Sequence, residues 1–165
     1  MTAAPSDPCV LYEDNHCLAL LKPAGTLVTS DETGDPTLLD RARTYLKERY
    51  QKPGNVFVGP VHRLDRPVSG IVLFARASKA AARLSEQFRS VTVRKTYRAL
   101  VESVPDLAAA ELRDWLIKDE TRNQSRVVPP ESPGSRECRL EYRILSIGPR
   151  SRRALLEVTP KTGRS

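Results

Sequence analysis

The sequence predicts an α+β fold in which a mixed, mostly antiparallel sheet is flanked by a few helices. Two segments have the apolar spacing of helices, whereas seven or eight others are short, apolar or β-branched, and bounded by turn residues. With 165 residues the chain is the size of one domain that can bury an apolar core, so residues 1–165 are expected to form a single domain.

The first predicted elements are two strands, VLYED (residues 10–14) and CLALLKP (residues 17–23), followed by the turn KPAG (residues 22–25). A helix is expected next, with Asp35 as its N-cap and Pro36 at its first position. It continues to about Tyr50 and ends at the breaker Lys52-Pro53-Gly54. One apolar face of this helix contains Leu38, Leu39, Ala42, Tyr45 and Leu46.

The second predicted helix, ASKAAARLSEQFRS (residues 77–90), has Ser78 as its cap and Ala81, Leu84 and Phe88 on one face. Strands are expected around it. Their ranges are 55–61, 70–76, 92–103, 109–118, 138–148 and 153–160, with the last two forming an antiparallel pair.

The net charge of +7 and the pI near 9.6 favour an anionic partner, of which nucleic acid is the first candidate. The basic excess is concentrated after position 142, where Glu157 is the one acid. The basic residues there are Arg143, Arg150, Arg152, Arg153, Lys161 and Arg164. A solvated basic surface is the alternative interpretation.

Several classes of protein are not indicated. No apolar run approaches the roughly 18 residues of a membrane span, and the start MTAAPSDP lacks the features of a secretory signal. Cys9, Cys17 and Cys138 are odd in number and far apart, so neither a disulfide framework nor a zinc site is predicted. A reducing cytoplasm is the expected location.

A polar loop between two predicted strands, VHRLDRPVSG (residues 61–70), is the main candidate site. Asp65 lies there among His62, Arg63 and Arg66, and neighbouring cations favour an ionised carboxylate. Such a carboxylate can act as a base, a nucleophile or a metal ligand. Alternatively, it closes the turn or pairs with an arginine. Ser69 lacks the G-x-S-x-G context of a hydrolase nucleophile.

Tyr97, in RKTYRAL, is the second candidate. On a strand it shares a face with Lys95 and Ala99, because alternate residues point the same way. A tyrosine beside cationic residues can stack on a nucleobase. An ordinary strand tyrosine that is half in the core is the alternative.

Taken together, these segments resemble the RluA-type family of RNA pseudouridine synthases. VHRLDRPVSG is similar to the family's HRLDxxTSG motif, with Val68 in place of Thr, and RKTYRALVE is similar to its KxYxA motif. VLYEDNHCLALLKPAG resembles the opening strand pair and KPAG turn, and EVTPKTGRS (residues 157–165) resembles the beginning of TGRTHQIR. The four matches occur in the family's order over nearly the whole chain.

The resemblance implies isomerisation of uridine to pseudouridine within ribosomal or transfer RNA, without cofactor or metal. A monomer is expected. Asp65 would be the catalytic carboxylate, Tyr97 would stack on the flipped base, and Arg164 would pair with Asp65. Arg63 would fill the space that the flipped nucleotide leaves. The basic residues expected to contact RNA are His62, Arg63, Arg66, Lys95, Arg150, Arg152 and Arg153.

Two departures from the family pattern carry expectations of their own. Val68 replaces a hydroxyl by a methyl group, so a hydrogen bond in the loop is expected to be lost. The chain ends at Ser165, where the family continues through HQIR and a GDxxYG-like segment. A catalytic domain that lacks its C-terminal portion is therefore expected, with little turnover by residues 1–165 alone.

Overall fold

A computed structural model of the chain describes residues 8–119, 124–150 and 152–162. The chain divides into two compact units, one extending to Phe88 and the other beginning at Arg89. Both units contain antiparallel sheets, and the first also contains two helices. The predicted α+β class is confirmed.

The first unit is built on a four-stranded sheet with the order β1-β2-β4-β3. Its strands are β1 (Cys9–Glu13), β2 (Cys17–Lys22), β3 (Gly59–Pro60) and β4 (Gly70–Ala75). The β1–β2 turn is closed by the Asp14 carboxylate, whose Oδ1 accepts from the backbone N–H groups of His16 and Cys17 at 2.7 and 2.6 Å. The two predicted strands are therefore confirmed, and they form an antiparallel hairpin with Asp14 as its organising residue.

Helix α1 (Leu38–Arg49) covers one face of this sheet, as its apolar spacing predicts. Leu38, Leu39, Ala42 and Leu46 are buried, and Tyr45 is packed against them. The sheet side of the same core contains Leu18, Leu20, Val72 and Phe74, all fully buried. Alternate residues of β2 and β4 thus supply the inner face of the sheet.

The start of α1 differs from the prediction, because Thr37 and not Asp35 is the N-cap. The Thr37 hydroxyl accepts from the N–H of Asp40 at 3.1 Å, and the Asp40 carboxylate accepts from the N–H of Thr37 at 3.3 Å. This reciprocal pair requires an acid three residues after the cap, which Thr37 has and Asp35 lacks. Asp35 is instead bound by Arg66.

The strand predicted over residues 55–61 is also wrong in extent, since only Gly59 and Pro60 pair with β4. Val58 is buried in the core and Val56 packs against it, so this segment contributes side chains rather than a hydrogen-bonded ladder. Pro60 has no N–H to donate, and pairing ends there. Further along the β4 edge, Nε2 of His62 accepts from the N–H of Leu73 at 3.0 Å and replaces a strand partner.

Helix α2 (Ser78–Arg89) begins at Ser78 itself, and the N–H of Ala81 donates to the carbonyl of Ala77. Ala77, not Ser78, therefore occupies the cap position. The predicted face of Ala81, Leu84 and Phe88 is half-buried.

The second unit is a five-stranded antiparallel sheet with the order β5-β9-β8-β6-β7. Its strands are β5 (Tyr97–Val101), β6 (Ala109–Asp119), β7 (Gln124–Val128), β8 (Arg136–Ile147) and β9 (Ala154–Pro160). The predicted β8–β9 pair is confirmed, whereas β7 was not predicted. Strand β5 is shorter than predicted, and continuing its register would place Lys95 opposite Pro160, which has no N–H.

Neither of the helices in the described ranges is both long enough and apolar enough to cross a membrane.

Candidate active site

The loop that joins β3 to β4 presents Asp65 to solvent. The Asp65 side chain is 67 % exposed, and its backbone carbonyl accepts from the N–H of Val68 at 3.0 Å, which closes a turn over Arg66 and Pro67. The carboxylate is therefore held at the tip of a turn, where a ligand can approach it. Asp65 does close the turn, as one alternative interpretation held, but it does so through its backbone carbonyl and not through its carboxylate.

Arg66 fastens this loop to the KPAG turn. The N–H of Gly25 donates to the carbonyl of Arg66 at 2.7 Å, and Nε of Arg66 donates back to the carbonyl of Gly25 at 3.1 Å. Gly25 has a φ of 85°, which a residue with a side chain rarely adopts. The Arg66 guanidinium also binds Asp35 Oδ2 at 2.5 Å. Two segments that are far apart in sequence thus form one rigid loop pair.

Lys22 is a residue of the candidate site that the sequence analysis missed. Its side chain is fully buried, and its Nζ donates to the carbonyls of Pro23, Thr26 and Arg66 at 3.2, 2.6 and 3.1 Å. Burial lowers the pKa of Lys22, and the charge of Asp65 acts in the opposite direction. The buried ammonium therefore joins the KPAG turn to the loop that carries Asp65.

A signal for Lys22 was present in the sequence. Leu18, Leu20 and Lys22 alternate along β2, so Lys22 falls on the face whose other members are core leucines. A lysine at such a position must be paired or hydrogen-bonded, because an unpartnered buried charge is costly.

His62 has a structural position within the loop. Besides accepting from Leu73, its ring stacks on Phe88 of α2, with centroids 4.4 Å apart and planes inclined by 20°. The hydrogen bond reaches β4 and the stacking reaches α2, so the imidazole joins these two elements. Its predicted contact with RNA stays a prediction.

Arg63 is the most exposed cation beside Asp65. Its side chain is 78 % exposed, and its guanidinium lies 4.0 Å from Asp65 Oδ1. An ion pair this long and this exposed is weak. Both groups are therefore available to a ligand.

Tyr97 and Lys95 belong to the second unit. Tyr97 is the first residue of β5, opposite Val158 of β9, and is half-buried. Lys95 precedes the strand, but burial alternates from position 93 to 101, so Lys95, Tyr97 and Ala99 share the half-buried side as predicted. Both alternatives for Tyr97, stacking on a base and partial burial in the core, fit this position.

The β8–β9 connection brings three predicted RNA-binding residues together. Arg150, Arg152 and Arg153 are all exposed, and the N–H of Gly148 donates to the carbonyl of Arg153 at 3.0 Å. Two other basic residues of the C-terminal region are paired with acids. Arg143 binds Glu157 at 2.8 Å and Lys161 binds Glu141 at 2.7 Å.

Arg164, the predicted partner of Asp65, lies outside the described residues. Within the ranges that the structure describes, no three His, Cys, Asp or Glu side chains lie close enough together to hold a metal ion.

The fold agrees with comparisons to known proteins. The model of the RNA pseudouridylate synthase family matches residues 16–165. The solved structure of human RNA pseudouridylate synthase domain containing 4 has a TM-score of 0.78 at 23 % identity, covering 95 % of this chain and 60 % of that one. Human RNA pseudouridylate synthase domain containing 1 has a TM-score of 0.76 at 18 % identity, covering 99 % and 64 %.

Curated relatives agree with this assignment. The chain is 32 % identical over 162 residues to ribosomal large subunit pseudouridine synthase C of Vibrio cholerae, covering 98 % of this chain and 48 % of that protein. It is 34 % identical over 164 residues to tRNA pseudouridine synthase C of Pectobacterium carotovorum, covering 94 % and 42 %. The chain therefore belongs to the RNA pseudouridylate synthase family, and it spans about half the length of these relatives.

Proposed function

We propose that this chain isomerises uridine to pseudouridine in RNA, with Asp65 as the catalytic carboxylate. The observation that carries the proposal is the exposed Asp65 side chain on a loop that Lys22 and Arg66 anchor to the KPAG turn. Family membership supplies the reaction class. The names of the two relatives favour ribosomal or transfer RNA as the substrate.

The proposed reaction exchanges one glycosidic bond for another. The Asp65 carboxylate attacks C1′ of the ribose, and the bond from C1′ to N1 of uracil breaks. The detached uracil turns, its C5 bonds to C1′, and the carboxylate leaves. The proton on C5 is then lost and N1 gains one, so the product is an isomer of the substrate and no external reactant is consumed.

A rigid loop suits this chemistry. The target nucleotide must leave its stack, which costs a few kcal/mol, and a carboxylate held in place need not be ordered at the same time. Arg63 is free to occupy the space that the nucleotide leaves, because its ion pair with Asp65 is weak. The roles proposed for Tyr97 and Arg164 rest on their motifs.

The test uses RNA labelled with tritium at C5 of uridine, because the reaction releases that proton. Residues 1–165 should release tritium slowly and yield pseudouridine in a nucleoside digest, with ribosomal and transfer RNA transcripts as separate substrates. Asp65→Asn should release none while still binding RNA, since affinity rests mainly on phosphate contacts. Glu48→Gln, which changes an exposed acid on α1, serves as the matched control.

Two outcomes would contradict the proposal. Turnover by Asp65→Asn would remove Asp65 as the nucleophile. RNA binding by the parent without product would instead favour a catalytically inactive RNA-binding relative.

We further propose a monomer in the cytoplasm that works without cofactor or metal. The free thiols of Cys9, Cys17 and Cys138 are compatible with a reducing compartment.

A further inference from the structure

A groove of about 520 Å³ lies between the β1–β2 turn and the first turns of α2, away from the catalytic loop. Its lining includes Cys17, Ala80 and Leu84 as apolar or weakly polar surface, together with His16, Lys79 and Arg83. Ala80 is buried and Leu84 half-buried, whereas the three basic side chains are exposed. The groove thus combines an apolar floor with a cationic rim.

The groove and Asp65 lie at opposite ends of the same strand. The catalytic loop leads into β4 at Gly70, whereas the groove adjoins the other end, where Ala75 pairs with Cys17. At about 3.3 Å per residue, the six residues of β4 separate these ends by about 17 Å. A ligand that reaches both places must therefore be extended, as an RNA strand is.

The positive charge of the rim is not neutralised within the first unit. Lys79 and Arg83 are four residues apart and share one face of α2. Among the described residues, neither the Lys79 nor the Arg83 side chain has an ion-pair or hydrogen-bond partner, and no Asp or Glu lines the groove. The nearby Asp14 carboxylate is already bound by the N–H groups of His16 and Cys17.

This combination fits a nucleotide better than it fits a simple anion. The Lys79 and Arg83 side chains can bind phosphate oxygens, and Arg can do so through two parallel hydrogen bonds. The apolar floor offers a surface against which a base can lie, in the way that single-stranded RNA is commonly bound. A simple anion would make no use of that floor.

We propose that this groove is a second RNA-contact site, which binds a phosphate and adjacent base of the substrate strand outside the nucleotide that is isomerised. The inference rests on the proposed function, since it assigns the groove to the same RNA. It adds a contact at the end of β4 that lies away from the Asp65 loop, and such a contact favours substrates that extend beyond the target uridine.

The first test compares two double variants of equal charge. Lys79→Gln with Arg83→Gln removes the rim, and Lys118→Gln with Arg126→Gln removes two exposed cations on β6 and β7. Affinity for a fluorescent single-stranded RNA is measured by anisotropy across a salt series. The rim variant should bind several-fold more weakly, with a salt slope smaller by about 0.7 for each lost phosphate contact. The control variant should match the parent.

The second test uses Cys17 as a natural probe of the groove. The parent and the rim variant are treated with a thiol-alkylating reagent at pH 8.5, with and without RNA, and the modified peptides are quantified by mass spectrometry. RNA should slow the alkylation of Cys17 several-fold in the parent and much less in the rim variant. An oligoglutamate peptide of the same charge should not protect Cys17.

The outcomes separate this inference from the proposed function. Equal affinity, salt slope and Cys17 protection in the parent and the rim variant would overturn the groove while leaving pseudouridine formation intact. Equal weakening by both double variants would show a general effect of net charge and would also overturn it. Protection by oligoglutamate would assign the groove to acidic peptides instead. Pseudouridine absent despite rim-dependent binding would overturn the proposed function alone.

Discussion

At the scale of single residues, Lys22 connects packing to the proposed chemistry. A buried ammonium is costly unless its protons are bound, and here three backbone carbonyls bind them. One of those carbonyls belongs to Arg66, the residue after Asp65. The position of the proposed nucleophile therefore depends on a side chain in a different motif.

Replacing Lys22 by Met should lower the free energy of unfolding by about 2 kcal/mol, because the three carbonyls lose their charged donor. Turnover should fall further than stability explains, since the Asp65 loop is no longer anchored. Urea unfolding and tritium release measure the two effects. Lys47→Met, on the exposed side of α1, should change stability by less than about 0.5 kcal/mol. Equal stability in both variants would contradict the anchoring role.

The pH dependence of Lys22 has a definite sign. Burial lowers the pKa of the folded state, so above that pKa the folded chain releases the proton before the unfolded chain does. The contribution of Lys22 to stability should therefore rise with pH between the lowered pKa and the ordinary value of 10.5. Lys22→Met should lack this rise.

Tyr97 can be separated into its ring and its hydroxyl. Tyr97→Phe should keep stacking on the base and slow the loss of the C5 proton, whereas Tyr97→Leu should weaken both RNA binding and turnover. Single-turnover rates and RNA affinity distinguish the two. Near-parent values for both variants would show that Tyr97 is an ordinary strand residue.

At the scale of elements, Glu13 joins the end of β1 to α1 and β4. Its carboxylate accepts from the hydroxyls of Tyr45 and Tyr50 at 2.8 and 2.6 Å and pairs with Arg76 at 3.0 Å. Burial alone raises the pKa of Glu13, but these hydrogen bonds and the Arg76 and Arg49 charges outweigh it, so the pKa lies below the usual value.

The Glu13 cluster should make the first unit sensitive to acid. A carboxyl whose pKa is lowered by folding stabilises the fold at pH values above its unfolded pKa, near 4.5, and this contribution is lost as the pH falls through the folded pKa. Glu13→Gln should cost about 1–3 kcal/mol at pH 7 and flatten the decline of stability below pH 4.5. Unfolding curves from pH 3 to 7 check this, with Glu48→Gln as the control. An unchanged decline would assign acid sensitivity to other carboxyls.

The β8–β9 connection carries the second element-scale prediction. Neutralising Arg150, Arg152 and Arg153 to Gln should weaken RNA binding and reduce the salt slope by about 0.7–0.9 for each lost phosphate contact. Anisotropy across a salt series measures this. The control neutralises Lys47, Lys118 and Arg126, which lowers the net charge equally. An unchanged slope would show that the three arginines face away from the RNA.

The sequence predicted the elements whose pattern is local. The α1 face follows from helical spacing, and strands β1 and β2 follow from two apolar runs around a polar turn. It did not predict that residues 55–58 remain unpaired, because this depends on Pro60 and on His62 binding the distant Leu73. The Thr37 cap was missed because Asp35 and Pro36 form a convincing but competing signal.

At the scale of the whole molecule, the two units differ in how their strands are buried. In the first unit β2 and β4 have partners on both sides, and Leu18, Leu20, Val72 and Phe74 are fully buried. In the second unit β7 is an edge strand whose residues are largely exposed, Val127 being 65 % exposed. Strand order and burial together therefore predict that β2 and β4 are better protected than β7.

Amide hydrogen exchange should reveal this inequality. Peptides from β2 and β4 should exchange slowest, because opening them exposes the apolar core, whereas β7 and the adjoining half of β6 should exchange early. Mass spectrometry of a deuterium time course, normalised to the unfolded chain, gives the order. Slower exchange in β7 than in β4 would contradict it.

The sequence predicted which motifs contain the candidate site residues, but it did not predict most of the contacts between those motifs. The HRLD motif made Asp65 the candidate, and the structure adds the contacts of Lys22, Gly25 and Arg66 that anchor its loop. Those contacts join residues about 40 positions apart, and no local pattern encodes the pairing of two carbonyl-rich turns. The one available clue was that Lys22 lies on the same face of β2 as the core residues Leu18 and Leu20.

Because Lys22 is buried, the rate at which its amine is chemically modified can report how fast the surrounding structure opens. An amine-reactive reagent modifies exposed lysines within moments, but it can reach the Lys22 amine only in molecules whose two anchored turns have separated. The slow appearance of a labelled Lys22 peptide would therefore time the opening of the Asp65 loop in the otherwise folded protein. If bound RNA lengthened that time, the substrate itself would be seen to hold the loop shut.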